Sequence, residues 1–255
     1  MALDPSALIA RVVRAREAAQ CGEADSPDVP LDLEPAMSDN RVRLFLRALV
    51  ADAKTYLELG LFGGSTFVPA TWGRRDLLDA IGIDNFTTPL VPSDELRAKL
   101  KANLSLLGAY DWSNNDLLPR HHSVSVYDMD IYGREAATLR DQISKRDVLF
   151  YDAGHSVEAQ WRGLAFWAAA MADPSIIIVD DYAAESVRRG CLLGLQRYVC
   201  HHAEALSFYN GLGVFVVSPR GEVPLNGCPY CGWTEMERLE TIVICSRCGQ
   251  AMVWR

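Results

Sequence analysis

Short apolar runs alternate along this chain with segments of helical composition. The two runs at 148–151 and 176–179 are uninterrupted, which favours strands of a parallel sheet with both faces covered. The predicted parallel strands are 56–59, 79–84, 122–127, 148–151 and 176–179. The alternation predicts an α/β fold with a doubly wound, mostly parallel sheet.

The helical segments show apolar residues on one face. Val42, Phe45, Leu46 and Leu49 follow a helical spacing after Asp39, which is a residue that begins helices. Residues 1–20 predict an amphipathic helix, and residues 21–38, with three prolines, predict an irregular connection. Apolar residues spaced along 184–203 predict a last helix in this part of the chain.

The predicted sheet ends in a hairpin. Residues 205–209 and 214–217 favour strands, and only Asn210-Gly211-Leu212-Gly213 separates them. A parallel crossover needs about a dozen residues or more, so these strands must be antiparallel. The prediction is therefore a seven-stranded sheet over residues 39–220, preceded by residues 1–38 and followed by a separate module over 221–255.

The composition of the chain limits the classes of function that are expected. The chain has 255 residues, 49% of them hydrophobic, and a net charge of −8. That charge disfavours sequence-independent binding of nucleic acid, and no apolar run reaches the roughly 20 residues of a membrane span. The first 20 residues lack the pattern of a secretory signal, so the seven cysteines are expected to stay reduced in the cytoplasm. A small-molecule substrate is the expected partner, and a homo-oligomer is left open.

A glycine loop follows the first strand. The sequence Glu58-Leu-Gly60-Leu-Phe62-Gly63-Gly64-Ser65 precedes a short predicted helix, and Asp84 ends the next strand. Phe62 stands where a dinucleotide loop needs glycine, and no Gly-Lys-Ser/Thr phosphate loop follows. S-adenosylmethionine fits because Asp84 can accept both ribose hydroxyls. The alternative is a plain strand–helix turn, in which Asp84 caps a helix.

The loop resembles motif I of the class I methyltransferases, and the order of elements is similar to theirs. The resemblance implies a Rossmann-like fold and an S-adenosylmethionine site. The residues expected to bind this cofactor are Glu58, Gly60, Phe62, Gly63, Ser65, Asp84, Asn85, Tyr127 and Asp128.

Acids end the fourth and fifth predicted strands. Asp152 follows one strand, with His155 three residues later, and Asp180-Asp181 follows the other. In a parallel sheet these side chains point towards one pocket. Three carboxylates are the hard ligands that Mg²⁺ prefers, and a histidine can accept a proton near neutral pH. The alternative is that the acids cap loops and helices and that His155 is a loop histidine.

The D-x-x-H and D-D-Y patterns resemble the metal-dependent macrocin- and mycinamicin-type O-methyltransferases, a group that also contains the cephalosporin-hydroxylase relatives. The resemblance implies natural-product biosynthesis, with Asp152, Asp180 and Asp181 holding the metal and His155 as general base. Some members carry a second aspartate where this chain has Gly154.

Two C-x-x-C-G knuckles lie near the C-terminus. Four thiolates, from Cys228, Cys231, Cys245 and Cys248, suit a closed tetrahedral zinc site, and iron is the minor alternative. The predicted ribbon is structural or dimer-forming.

The sequence thus predicts Mg²⁺-assisted O-methylation of a sugar or natural-product hydroxyl. Two alternatives stay open. One is a metal-independent N- or carboxyl-methyltransferase, and the other is a non-catalytic nucleoside-binding scaffold with a protein-binding ribbon.

Overall fold

The structure is a computed structural model. It describes residues 4–22, 25–33, 38–74, 76–107, 110–111, 116–117, 123–220, 236–239, 242–245 and 251–253.

Seven helices and twelve strands follow one another in the described parts of the chain. The helices are α1 Pro5–Cys21, α2 Asn40–Val50, α3 Phe67–Thr71, α4 Ser93–Ser105, α5 Arg134–Gln142, α6 Val157–Trp167 and α7 Glu185–Gly194. The strands are β1 Thr55–Leu59, β2 Asp79–Asp84, β3 Tyr110–Asp111, β4 Asp116–Leu117, β5 Ser123–Asp128, β6 Arg146–Tyr151, β7 Met171–Val179, β8 Tyr198–Leu206, β9 Leu212–Pro219, β10 Met236–Leu239, β11 Ile242–Cys245 and β12 Ala251–Val253.

The main sheet has seven strands in the order β5-β2-β1-β6-β7-β9-β8. All pairs from β5 to β7 are parallel, whereas β9 is antiparallel to both β7 and β8. The predicted seven-stranded, mostly parallel sheet with a closing hairpin is confirmed. From β1 the chain adds strands towards one edge of the sheet, and from β6 it adds them towards the other edge. The carboxyl ends of these two central strands therefore border a crevice.

Helices cover both faces of this sheet. On one face, α1 to α4 pack against side chains such as Tyr56, Phe150 and Ile178. On the other face, α5 to α7 pack against the alternate residues of the same strands, among them Leu149 and Val179. This explains why the strand sequences are apolar without alternation: both faces of the sheet are core.

The N-terminal helix belongs to the same core as the sheet. Leu8, Val12, Ala15 and Ala19 of α1 are buried in it together with residues of α2. The guanidinium of the buried Arg11 donates to the carbonyl oxygen of Leu49, which ties α1 to α2. The predicted apolar face of α2 is confirmed, and the Asp39 side chain caps that helix by accepting from the N–H of Val42 at 3.0 Å.

The predicted helix over 184–203 is wrong in its second half. Helix α7 ends at Gly194, a 3₁₀ turn spans Leu195–Arg197, and β8 begins at Tyr198. Val199 therefore lies on a strand rather than on a helix face. His201 and His202, predicted at a helix end, also lie within β8. Only the end of this strand was predicted, and the predicted strand 205–209 continues past the observed end of β8 at Leu206. The first part of β8 was hidden because it is at the sheet edge and most of its residues are solvent-facing.

The C-terminal strands β10, β11 and β12 form an antiparallel sheet of their own. Cys245 is the last residue of β11, and its side chain lies outside the described part of the chain, as do Cys228, Cys231 and Cys248. The zinc prediction is therefore still a prediction. None of the described helices is long and apolar enough to cross a bilayer.

Candidate active site

A cavity of about 300 Å³ opens at the carboxyl edge of the sheet, where β1, β2, β6 and β7 end. We call it the edge cavity. Its volume is at the lower end of the range for small-molecule sites. The predicted site residues that line it are Gly60, Phe62, Asp84, Asn85, Asp152, His155, Asp180 and Asp181. Residues far apart in the sequence are thus brought together, as parallel topology requires.

Gly60 has to be glycine for two reasons. Its φ is +91°, which favours a residue without a side chain, and a Cβ there would lie 1.9 Å from the carbonyl oxygen of Asp152. The loop is held on both sides, since the N–H of Gly60 donates to Ile83 and the N–H of Asp152 donates to Leu59. The tips of β1 and β6 therefore touch at this position.

Asp84 is fixed by the backbone around it. One carboxylate oxygen accepts the N–H of Phe62 at 2.8 Å, and the other accepts the N–H of Phe86 at 2.6 Å. Burial raises the pKa of Asp84, although these backbone donors oppose the increase. The carboxylate thus has a set orientation at the cavity wall, and each oxygen keeps a second lone pair for a ligand.

Glu58 lies behind the loop rather than in the cavity lining. It is fully buried and accepts hydrogen bonds from the hydroxyls of Tyr56, at 2.5 Å, and Thr66, at 2.6 Å. Burial raises its pKa to about 8. Since Thr66 lies at the far end of the glycine loop, the Glu58–Thr66 hydrogen bond holds the loop closed from inside.

Four further predicted cofactor residues lie outside the lining of the edge cavity. Gly63 is in the loop, where its carbonyl accepts from the amide of Asn103 at 2.7 Å. Ser65 is buried at the end of the loop. Tyr127 and Asp128 end β5, and Asp128 forms an ion pair with Arg97 at 2.8 Å.

His155 lies between two carboxylates. Its Nε2 is 2.9 Å from Oδ2 of Asp181 and 3.9 Å from Oδ1 of Asp152. Hydrogen bonding to Asp152 and to Asp181 raises the pKa of His155 to about 10. In the same pair, the hydrogen bond from His155 lowers the pKa of Asp181. In this arrangement the imidazole holds its proton at neutral pH.

The turn that carries His155 is held in place by the side chain of Gln160. The amide of the buried Gln160 donates to the carbonyl oxygens of Ala153, at 3.3 Å, and Gly154, at 3.1 Å. Gly154 itself has a φ of +43°, and a Cβ there would lie 2.7 Å from Cβ of Ala159. An aspartate at position 154 would therefore be strained in this backbone, which accounts for the departure from the resembled group.

Asp180 is buried with one oxygen unsatisfied. Its Oδ1 has no hydrogen-bond partner among the described residues. Burial, together with repulsion from Asp152, raises its pKa, and burial also raises that of Asp152. Such an unpartnered acceptor suits a cation. In the described parts of the chain, however, no group of three His, Cys, Asp or Glu side chains is assembled closely enough to hold a metal ion.

Backbone strain is concentrated at this cavity. Among the described residues other than glycine, four have a positive φ, between +45° and +53°: Phe62, Phe86, Asp181 and Tyr209. All four line the edge cavity. Left-handed backbone costs about 1 kcal/mol or more at such residues and persists where the surrounding structure enforces it. Its clustering makes this cavity the candidate functional site.

Sequence reasoning missed one wall of the cavity. Tyr209 and Asn210, at the turn between β8 and β9, lie beside Asp181, and the Asn210 side chain donates to it. The Asn-Gly pair at 210–211 gives a turn signal, which predicted the hairpin but not where its tip lies. The loop Phe86–Leu90 was also missed.

Comparisons with known proteins bear on the fold. No family model and no curated protein sequence matches the chain. Among solved structures, the chain is similar to the S-adenosylhomocysteine (SAH)-bound methyltransferase PaMTH1 of Podospora anserina, with 14% identity over 83% of this chain and 88% of that one, and a TM-score of 0.50. It is also similar to a candidate caffeoyl-CoA O-methyltransferase of Staphylococcus aureus, with 14% identity over 81% and 92% and a TM-score of 0.50. The chain therefore has the Rossmann-like fold of these methyltransferases.

Proposed function

We propose that the protein is an S-adenosylmethionine-dependent methyltransferase that methylates a hydroxyl of a small molecule, with Mg²⁺ assistance. The observation that carries the proposal is the composition of the edge cavity. One cavity joins a glycine loop and an oriented aspartate, which suit a nucleoside, to a histidine between carboxylates, which suits proton transfer. The fold shared with the SAH-bound Podospora protein supports the same conclusion.

Asp84 is the residue that would hold the ribose. Two backbone N–H groups keep its carboxylate in one orientation, and the free lone pairs can accept the two ribose hydroxyls. Gly60 lets the tips of β1 and β6 meet, since a Cβ there would lie 1.9 Å from the carbonyl oxygen of Asp152. The role of Asp84 concerns binding alone, and it can be tested without knowing the acceptor.

His155 is the candidate general base. When bound, S-adenosylmethionine supplies an electrophilic methyl group, so the protein has only to orient the acceptor hydroxyl and remove its proton. Nε2 of His155 would take that proton. This requires a neutral imidazole, and the two aspartates that raise its pKa must therefore be engaged elsewhere during the reaction.

Asp152, Asp180 and Asp181 are the residues that would hold Mg²⁺. Their oxygen donors fit a hard cation, and the unpartnered Oδ1 of Asp180 favours one. With an ion held by these residues, the pKa of an acceptor hydroxyl would be lowered. The metal-independent alternative draws support from the His155–Asp181 pair, which occupies one of the three carboxylates.

Binding of SAH tests the nucleoside site. We expect wild-type protein to bind SAH in titration calorimetry, and Asp84→Asn to bind at least about tenfold more weakly, because an amide accepts with one oxygen only. Asp94→Asn changes an acid exposed on α4 and should bind like wild type. Wild-type protein that fails to bind SAH would overturn the proposed function.

Chelation separates the two mechanisms. Methyl transfer to a panel of hydroxyl acceptors should be lost on treatment with EDTA and restored by Mg²⁺. Zinc content has to be measured in the same samples, so that loss of a structural ion is not mistaken for loss of Mg²⁺. Activity that persists after chelation would favour the metal-independent methyltransferase.

We also propose that Cys228, Cys231, Cys245 and Cys248 bind one structural Zn²⁺. The knuckle spacing supports it, together with the position of Cys245 at the end of a strand. Elemental analysis of purified protein should give one zinc per chain, and Cys228→Ser with Cys231→Ser should abolish it. Iron in place of zinc would identify a rubredoxin-like centre.

A further inference from the structure

A second cleft adjoins the edge cavity. It has a volume of about 790 Å³ and lies between the loop after β7 and the turn between β8 and β9. Asp181, Tyr209 and Asn210 line both spaces. We call the second cleft the acceptor cleft. A molecule bound in it would contact Asp181, which is the partner of His155, and would lie next to a donor bound in the edge cavity.

The cleft has rigid aromatic walls. The ring of Tyr182 packs edge-on against Phe215, with ring centroids 5.6 Å apart, and it lies over Gly213, where a Cβ would come within 2.6 Å of the ring. The N–H of Tyr182 also donates to the carbonyl oxygen of Gly211. Together with Tyr209 this gives the acceptor cleft an apolar surface that suits the body of a ring or a short chain.

Two charged residues line this cleft, Asp181 and Arg188, and Arg188 is the basic one. It lies on the first turn of α7, is exposed and lines the cleft. No carboxylate among the described residues lies within ion-pair distance of its guanidinium, and Arg188 is the one basic residue among the described residues that line the cleft. In a chain with a net charge of −8, a free arginine inside a cleft favours a ligand anion.

We propose that the methyl acceptor carries a carboxylate or phosphate group, and that Arg188 binds this group in the acceptor cleft. The proposal rests on the proposed methyltransferase function. The planar guanidinium offers two parallel N–H donors to either anion. With the anion at Arg188 and the body of the molecule against Tyr182, the hydroxyl to be methylated faces Asp181. Arg188 is thus a residue that determines which acceptors bind.

Calorimetry with matched ligands tests this inference. The titrants are 3,4-dihydroxybenzyl alcohol, 3,4-dihydroxybenzoate and 3,4-dihydroxybenzyl phosphate, each added to full-length protein saturated with SAH. We expect the benzoate, the phosphate or both to bind about tenfold more tightly than the neutral alcohol, as expected for one partly exposed charge-assisted pair. Whichever of the two anionic ligands binds more tightly identifies the anion that the cleft prefers.

Two variants of the same charge change complete the test. Arg188→Gln should remove the preference for the anion, while Arg189→Gln should retain it, since Arg189 is exposed on the same helix but lines neither space. Equal affinity for all three ligands, binding of none, or an equal loss in both variants would overturn the proposal. Saturation with SAH is established beforehand, so any of these results leaves the nucleoside site, and with it the proposed function, standing.

Discussion

Two clusters of charged side chains in this protein contrast with each other. The first, which we call the arginine clasp, consists of Asp25, Arg47 and Arg74. Arg47 donates to Asp25 and to the carbonyl oxygens of Pro69, at 3.0 Å, and Trp72, at 2.8 Å. Arg74 donates to Asp25 at 2.7 Å. In this cluster both arginines pair with Asp25, and the two carbonyl contacts of Arg47 hold α3 and the residue after it.

The edge cavity collects like charges instead. Asp152, Asp180 and Asp181 lie within one wall, with a single imidazole between them. Burial and mutual repulsion raise the pKa of Asp152 and Asp180, while Arg47 and Arg74 overcome the burial of Asp25 and lower its pKa. The clasp is arranged for stability, whereas the cavity retains unsatisfied groups that a ligand can use.

Breaking the clasp should have the largest effect on stability. Arg47→Met keeps much of the apolar stem but leaves two buried carbonyl groups and one carboxylate oxygen without this donor. We expect the free energy of unfolding in urea to fall by about 3 kcal/mol. Arg14→Met removes an exposed ion pair with Asp52 and should change it by less than about 0.5 kcal/mol. Equal effects of the two variants would show that the clasp is no more than a surface pair.

Replacing an acid of the edge cavity should raise the stability of the protein rather than lower it. Asp180→Asn removes a buried carboxyl group whose ionisation is disfavoured by burial and whose Oδ1 has no partner in the described chain, so the free energy of unfolding in EDTA should rise by about 1 kcal/mol. Methyl transfer should be lost at the same time. The matched variant is Asp147→Asn, since the Asp147 carboxylate accepts the N–H groups of Lys54 and Thr55. The free energy of unfolding of Asp147→Asn should fall by about 1 kcal/mol. A destabilised Asp180→Asn would contradict the proposed cost of burying this carboxyl group.

The pH dependence of Glu58 should give the most gradual effect, because it is spread over several pH units. Its folded pKa of about 8 exceeds the usual 4.5, so the folded state keeps a proton that the unfolded state has lost. The stabilisation is present below pH 4.5 and is lost as the pH rises towards 8, with a slope of at most about 1.4 kcal/mol per pH unit. Asp25, whose folded pKa is lowered, contributes with the opposite sign in acid.

Urea titrations from pH 5 to pH 8 check this prediction. Subtracting the unfolding free energies of Glu58→Gln from those of wild type cancels the other acids, and the difference should decline steadily with pH. A constant difference over this range would mean that Glu58 is ionised in the folded protein.

The part of the fold that sequence predicted well is the part where local pattern and burial agree. The strands ending at Leu59, Asp84 and Tyr151 are buried on both faces, and their inner residues are therefore mostly apolar, with Glu58 as the buried exception. The same topology brings Gly60, Asp84 and Asp152 to one edge without any further information. The grouping of these three residues in the candidate site could therefore be predicted from the order of the strands alone.

The rest depends on contacts between distant segments. Strand β8 is an edge strand whose exposed residues carry no apolar alternation, so the helical spacing of Leu192 and Leu195 was extended too far. The cavity wall formed by Tyr209 arises because β9 pairs antiparallel with β7, with Val179 opposite Gly213. No local pattern encodes that register. The state of His155 likewise depends on Asp181, which is 26 positions away in the sequence.

The left-handed residues of the cavity have a consequence for laboratory evolution. Phe62, Phe86, Asp181 and Tyr209 are positions at which glycine, usually a destabilising residue, would relieve the backbone. A screen that selects only for heat resistance should therefore enrich glycine at these positions. A screen that selects for turnover should retain the side chains, and the two lineages would diverge first along the rim of this one cavity.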